Sequence, residues 1–230
     1  MGFEQKLPMR LSPRFSVKKA HATQLRLSKR VIREDRLPER IRYIGGVDIA
    51  YLGEISIGAT VVLDSTSLAV VESQITHVKS RFPYVPTLLS FREIPPAFSA
   101  VQKLKVRPEV FLIDGQGIAH PYRLGFASHL GLVTGFPSIG VAKSRLCGEV
   151  QSFDDRRWAP ITDGEEVIGA AVLTKLGVKP IYVSVGHQVS LERAIQIVMD
   201  CTRGHRIPEP IRRAHMMANE EKRKWSKSKV

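Results

Sequence analysis

The sequence predicts a single α/β domain built as a mixed β-sheet flanked by helices, on three observations. Runs rich in Val, Ile and Thr fall at 44–50, 55–63 and 68–78 and are joined by turn residues. Val110-Phe111-Leu112-Ile113 is apolar without interruption, as in a strand buried on both faces. From there to the end, helix-like and strand-like stretches alternate. No repeat, low-complexity linker or break in composition divides the 230 residues, so one domain is expected over 1–230, with residues 1–15 and 218–230 as basic ends.

Each element has its own signal. Val17, Ala20, Leu25, Val31 and Ile32 recur at roughly helical spacing within residues 13–35, with Ser12-Pro13 as cap and first turn. Ile44–Ala50, Ile55–Leu63 and Leu68–Val78, linked through Gly53 and Asp64-Ser65, read as three adjacent antiparallel strands. Phe82-Pro83-Tyr84-Val85-Pro86 reads as a rigid loop, because two prolines fix φ and push the residues before them into extended backbone. A helix is expected over about 90–105, with Pro95-Pro96 delaying its regular part. The strand at Val110–Ile113 ends at Asp114 and belongs at the centre of the sheet. After it come helix 122–134, strand 138–142, strands near 167–174 and 180–185, helix 190–203 and a basic helix from about Pro210.

Composition excludes several classes. A hydrophobic fraction of 43% with 25% charged residues is globular, not disordered, collagenous or disulfide-stapled. Cys147 and Cys201 form no CxxC pair, which argues against a zinc knuckle or cystine framework and for a reducing, cytoplasmic compartment. The uncharged stretch Leu124–Ala142 is broken by His129, Thr134, Pro137 and several glycines, so no membrane span is expected. Lys6, Arg10, Arg14, Lys18 and Lys19 leave no apolar core for a signal peptide. A monomer is the default.

The net charge of +13 is concentrated. Residues 1–40 carry 11 basic and 4 acidic side chains, residues 203–230 carry 9 and 3, and the middle is balanced. Basic ends on a neutral body suit a polyanion, since each cation that neutralises a phosphate releases counterions. Charge by itself does not separate DNA, RNA and anionic lipid, and a solubilising surface gives the same count.

Asp48 and Asp114 each close an apolar strand-like run. A buried carboxylate is costly unless paired, hydrogen-bonded or bound to a cation. If the two strands are neighbours, both carboxylates face one cation, and hard oxygen ligands imply Mg²⁺ or Mn²⁺. Singly, each has a plainer reading: Asp48 and Asp114-Gly115 as turns, and Glu93 as the acidic arm of a Ser90-x-x-Glu93 capping box. Gly115-Gln116-Gly117-Ile118-Ala119-His120 follows a strand, but His120 stands where a dinucleotide fingerprint needs its third glycine. Its glycines instead let backbone N–H groups approach a phosphate or base. With His120, His215 and Lys143, the set offers acidic ligands, a base of suitable pKa and a cation, which is the equipment of metal-assisted phosphodiester hydrolysis.

Several blocks together resemble the endonuclease V family of deoxyinosine-directed repair nucleases. They are Gly46-Val47-Asp48, Phe82 to Pro86, Leu89-Ser90-Phe91-Arg92-Glu93, Asp114 to Pro121, Ile139 to Leu146 and Arg206 to His215. The resemblance implies an RNase H-like fold and a Mg²⁺-dependent nick at the second phosphodiester bond 3′ of deoxyinosine, leaving 3′-hydroxyl and 5′-phosphate ends, with Mn²⁺ as a substitute. It implies that Asp48, Asp114 and Glu93 hold metal, Glu93 directly or through water. His215 would position or activate the attacking water, and Lys143 would contact the scissile phosphate. Pro83-Tyr84-Val85-Pro86 matches the family's wedge, and a rigid aromatic between prolines suits a base step from which a base has flipped. Leu89, Gly117, His120 and Gly125 would line the lesion pocket, where backbone N–H donors in the glycine loop distinguish the carbonyl of hypoxanthine from the amino group of adenine. The expected partner is DNA containing deoxyinosine. Two rivals stand beside it: an endoribonuclease acting on inosine in RNA, and a nucleic-acid-binding module without catalysis.

Overall fold

The computed structural model describes residues 16–153, 156–175 and 177–227. The Ser12-Pro13 cap and the basic segment 1–15 lie outside the described residues. Helix α1 (Val17–Ser28) leads into β1 (Tyr43–Leu52), β2 (Ile55–Asp64) and β3 (Val70–Lys79). Helix α2 (Leu89–Gln102), β4 (Val110–Asp114), α3 (Phe126–Thr134) and β5 (Ser138–Ala142) follow. The chain continues through β6 (Glu149–Val150), β7 (Trp158–Asp163), β8 (Glu166–Val172), β9 (Ile181–His187), α4 (Leu191–Asp200) and α5 (Glu209–Lys227).

The strands form one sheet in the order β3-β2-β1-β4-β5-β9-β8-β7-β6. The β1–β2 and β2–β3 pairs are antiparallel, as expected, and β1–β4 and β4–β5 are parallel. Helices cover both faces, which is why β4 is apolar throughout. Phe111 and Ile113 pack with Ala97 and Val101 of α2 and with Phe126 and Leu130 of α3. Leu112, with Ile139 and Val141 of β5, packs on the other side with Ile195 and Val198 of α4 and Ile211 and Ala214 of α5. Period-two alternation then sends Asp114 and Lys143, the next residues of matching parity, to the side covered by α5. Asp48 shares that side, because Gly46 two residues earlier meets α5 and its neighbour Val47 joins the α2–α3 cluster.

Five sequence expectations shift. α1 ends at Ser28, short of residue 35, with Ser16 as its cap accepting from the Lys19 N–H. α2 stays helical through Pro95 and Pro96. α3 begins at Phe126 rather than 122, because Arg123 adopts a left-handed φ of 52° and Gly125 caps the helix. β6 and β7 are additional strands. Pro160 weakens the strand signal of β7, yet Asp163-Gly164 turns it into β8, with Gly164 at φ 63°. Residues 218–227, set apart in the sequence as part of a basic end, continue α5 as regular helix.

Candidate active site

The turn reading does not survive for Asp48, nor the capping box for Glu93, whereas Asp114-Gly115 does end its strand at a bend. Asp48 lies in the middle of β1, where its Oδ1 accepts the Ile49 N–H at 2.8 Å. Parallel pairing sets Val47 against Ile113, so the two aspartates that follow stand side by side at the end of β4. Their oxygens and an imidazole nitrogen of His215 all lie within 4.8 Å of one another.

His215 comes from α5, and glycine brings it there. A Cβ on Gly46 would stand 2.0 Å from the Pro210 carbonyl oxygen, so only glycine admits the first turn of α5 against β1. Five residues on, His215 Nδ1 reaches Asp48 Oδ2 at 2.7 Å. An ionised carboxylate only accepts, so Nδ1 carries the proton and Nε2 is the lone-pair nitrogen. Asn219, one turn later, agrees with this assignment: its Nδ2 lies 3.2 Å from Nε2 and donates to the His215 carbonyl at 2.9 Å. Spacing had not singled out Asn219, although i,i+4 from a site histidine is a readable signal.

Glu93 approaches from α2 on the opposite side of the sheet. The helix starts after Leu88 with no side-chain cap, and Ser90 Oγ pairs instead with buried His129 Nδ1 at 3.1 Å. Burial first, then the charges of Asp48 and Asp114, push the Glu93 carboxyl up to about 8. Burial and Asp114 likewise raise Asp48 to about 6, against the lowering influence of His215. The buried Tyr51 hydroxyl, raised by burial and by Glu93, lacks a hydrogen bond of good geometry among the described residues. Excess negative charge held out of water is what a divalent cation would neutralise, and the carboxylate–imidazole donor set fits one.

Lys143, just past β5, extends Nζ to 2.5 Å from Asp114 Oδ2. Its carbonyl is clamped by Arg206 Nη2 at 2.7 Å, and Arg206 also donates to the carbonyls of Lys179 and Pro180. Arg206 thus fixes the backbone that carries Lys143.

Beside the carboxylates opens a cavity of about 420 Å³, within the range of small-molecule sites. Tyr84, Pro86, Leu89, His120 and Gly125 line it, together with Glu93, Asp114 and Lys143. Gly117 does not. It sits behind the wall, where a Cβ would meet the Val185 oxygen at 2.0 Å, and its N–H donates to Ser184 Oγ at 2.8 Å. The N–H groups of Gly115 and Ile118 are spent on Val141 and Val185. These three donors therefore hold the loop on the sheet, and base recognition through them does not fit. His120 Nδ1 accepts the Tyr122 N–H at 3.1 Å, and burial, against the raising influence of a hydrogen bond to the Thr87 backbone, lowers its pKa to about 4, so the imidazole is neutral at neutral pH.

Tyr84 stands at the cavity mouth with 65% of its surface exposed. Pro83 and Val85 flank it on the loop without lining the cavity. The loop ends on Thr87 at φ 67°, an unusual conformation for a β-branched residue. α1 holds it there: Gln24 Nε2 donates to the Thr87 and Leu124 carbonyls at 2.7 and 3.2 Å, and His21 Nε2 is 3.1 Å from Thr87 Oγ1. The sequence showed α1 only as a basic helix; its role as a brace is a tertiary fact.

A mixed sheet with carboxylates side by side on adjacent strands and helices on both faces defines the class, an RNase H-like fold carrying a nuclease-type acidic site. The comparisons narrow it. Residues 25–216 match the Endonuclease V family model. A Thermofilum pendens Endonuclease V is 47% identical over 210 residues, covering 91% of this chain and 90% of the relative. Among solved structures, Endonuclease V from Streptomyces avermitilis superposes with a TM-score of 0.86 at 39% identity, covering 92% of this chain and 95% of its own. Ciona intestinalis Endonuclease V in complex with a DNA containing an inosine followed by a ribo-adenosine superposes at 0.82, with 35% identity and coverage of 90% and 98%. The chain belongs to the endonuclease V family.

Proposed function

We propose that this chain is a Mg²⁺-dependent endonuclease that nicks DNA at the second phosphodiester bond 3′ of deoxyinosine and leaves a 5′-phosphate. The observation that carries the reading is the juxtaposition of the Asp48–Asp114–His215 cluster with a cavity whose mouth holds an exposed aromatic. The relative solved with inosine-containing DNA supports the substrate.

Asp48 and Asp114 would hold the cation, with Glu93 completing its surroundings from α2; hard oxygens favour Mg²⁺ or Mn²⁺. When bound, the cation supplies Lewis-acid polarisation of the phosphodiester and charge neutralisation. Asp48 orients the imidazole through Nδ1–H, which leaves His215 Nε2 to accept a proton from the attacking water. Lys143, paired with Asp114, would contribute positive charge at the phosphate. Tyr84 stacks where the base has left the helix, and the cavity takes the base, with the neutral His120 imidazole in its wall.

Cleavage of end-labelled duplexes carrying one deoxyinosine or one riboinosine, in Mg²⁺ or EDTA, tests this. A Mg²⁺-dependent nick 3′ of deoxyinosine is expected. Cutting only at riboinosine would move the protein to RNA, a reading that the ribo-adenosine in the Ciona complex keeps in view. No cutting of either would leave a binding module.

A further inference from the structure

Helix α5 carries more than His215 on its active-site face. His215, Asn219, Lys222 and Ser226 recur at i, i+4, i+7 and i+11 and so form one stripe. Asn219, Lys222, Arg223, Ser226 and Lys227 border a shallow open groove beyond the histidine. The acidic residues of this stretch are occupied elsewhere, Glu220 with Lys224 at 2.9 Å and Glu221 with His77 of β3 at 3.0 Å. Lys222, Arg223 and Lys227 form no ion pair among the described residues, although Arg223 stands near enough to Glu220 to favour its ionised form. The stripe is also held in place. Ala218 is fully buried, and Trp225 stacks on His77 with ring centroids 4.4 Å apart, which pins the distal half of the helix to the sheet edge.

Position along the sheet gives the stripe a direction. The lesion cavity lies on the β4–β5 side of the aspartates, lined by residues after both strands. α5 instead crosses β1 and β2, and its distal end meets β3. A strand that places its lesion in the cavity and its scissile phosphate at the aspartates leaves the site toward α5.

We propose that this stripe of α5 binds the phosphate backbone of the cleaved strand on the 3′ side of the cut. The inference rests on the proposed cleavage 3′ of the lesion. From His215 to Lys222 and Ser226 the helix advances about 10 and 16 Å, which spans roughly three to five nucleotides at 3.4 Å each. The partner is chosen by charge complementarity and by continuity with the catalytic face.

Binding is measured by fluorescence anisotropy in EDTA, on deoxyinosine duplexes with long flanks, a 3′ flank cut to two nucleotides, or a 5′ flank cut equally. The full chain is compared with the Lys222→Glu/Arg223→Glu variant over a range of salt. On the long duplex the variant binds at least about tenfold more weakly, with a salt slope shallower by about two. On the 3′-truncated duplex the two proteins bind alike, and 5′ truncation affects both equally. Equal loss of affinity on all three duplexes, or loss tied to the 5′ flank, overturns the proposal. Lys222→Gln/Arg223→Gln repeats the test if the charge reversal unfolds the helix, and Lys224→Gln, on the opposite side of α5, leaves the flank dependence unchanged. Wild-type nicking in Mg²⁺ is scored separately: no nick at deoxyinosine rejects the functional reading, whereas a nick without 3′-flank dependence rejects the stripe alone.

Discussion

His215 Nδ1 stands 2.7 Å from Asp48 Oδ2, joining a C-terminal helix to the second half of the first strand across 167 residues of sequence. The contact exists because Gly46 has no side chain, and the consequences of that arrangement are measurable.

Gly46→Ala places a Cβ against the Pro210 carbonyl, an atom of the helix backbone with no rotamer to yield. We expect a loss of about 1–3 kcal/mol in denaturant unfolding and a fall in kcat larger than any change in KM, because α5 must retreat and take His215 with it. Wild-type kcat with unchanged stability would reject this account.

Asp114→Ala should abolish cleavage in Mg²⁺ while the far-UV circular dichroism stays native. The same substitution should remove the rise in Tm that Mg²⁺ produces in the wild type, since a ligand that binds only the folded state stabilises it. Turnover like wild type would remove Asp114 from the metal site.

Glu93→Gln should stabilise the protein in EDTA at pH 8. The folded carboxyl is raised to about 8 from an ordinary 4.5, so the destabilisation from ionising it is absent below about pH 4.5 and grows to its full value above about pH 8. The gain in unfolding free energy should stay below a ceiling of about 5 kcal/mol, vanish at pH 4.5, and shrink when Mg²⁺ is added. A pH-independent difference between variant and wild type would contradict the burial assigned to Glu93.

His129→Gln tests the opposite sign. Burial lowers His129 to about 4 from 6.5, so the folded state excludes a proton that the unfolded chain binds. The stability from this histidine is present above pH 6.5 and is lost as the pH falls toward 4, by up to about 3 kcal/mol. Relative to wild type, the variant should therefore gain stability progressively over that interval in urea titrations; parallel curves would place His129 in a wetter site.

Tyr84→Ala should weaken binding to a deoxyinosine duplex more than to an undamaged one, about tenfold against little change if one stacking contact is lost. Gln24→Ala should reproduce part of that loss without touching DNA, because the Thr87 foot of the loop loses its brace. Equal losses on both duplexes for Tyr84→Ala would reject the wedge.

Much of this was legible in one dimension. The strands β1 to β5 and the helices around them announce themselves by periodicity, since side-chain alternation is a local property of the backbone. Asp48 and Asp114 stood out because carboxylates rarely end apolar runs without a partner. β7 was hidden by Pro160, and the true start of α3 by the left-handed turn at Arg123, a conformation that sequence propensity does not announce. Glu93 was misleading on its own, as Ser-x-x-Glu spacing matches a capping box that the helix does not form.

The sequence by itself determined most element types, the neutral body with basic ends, and, through its linked blocks, the family, with Asp48, Asp114 and Glu93 as candidate ligands. Only the tertiary structure decided which residues meet. Strand order and parity set Asp48, Asp114 and Lys143 on one side of the sheet. A missing Cβ at Gly46 let α5 deliver His215, and packing of the glycine loop on β9 took Gly117 out of the pocket wall. Such contacts join residues far apart in the chain, and their geometry is set by side-chain volume and strand register, quantities that local spacing does not encode.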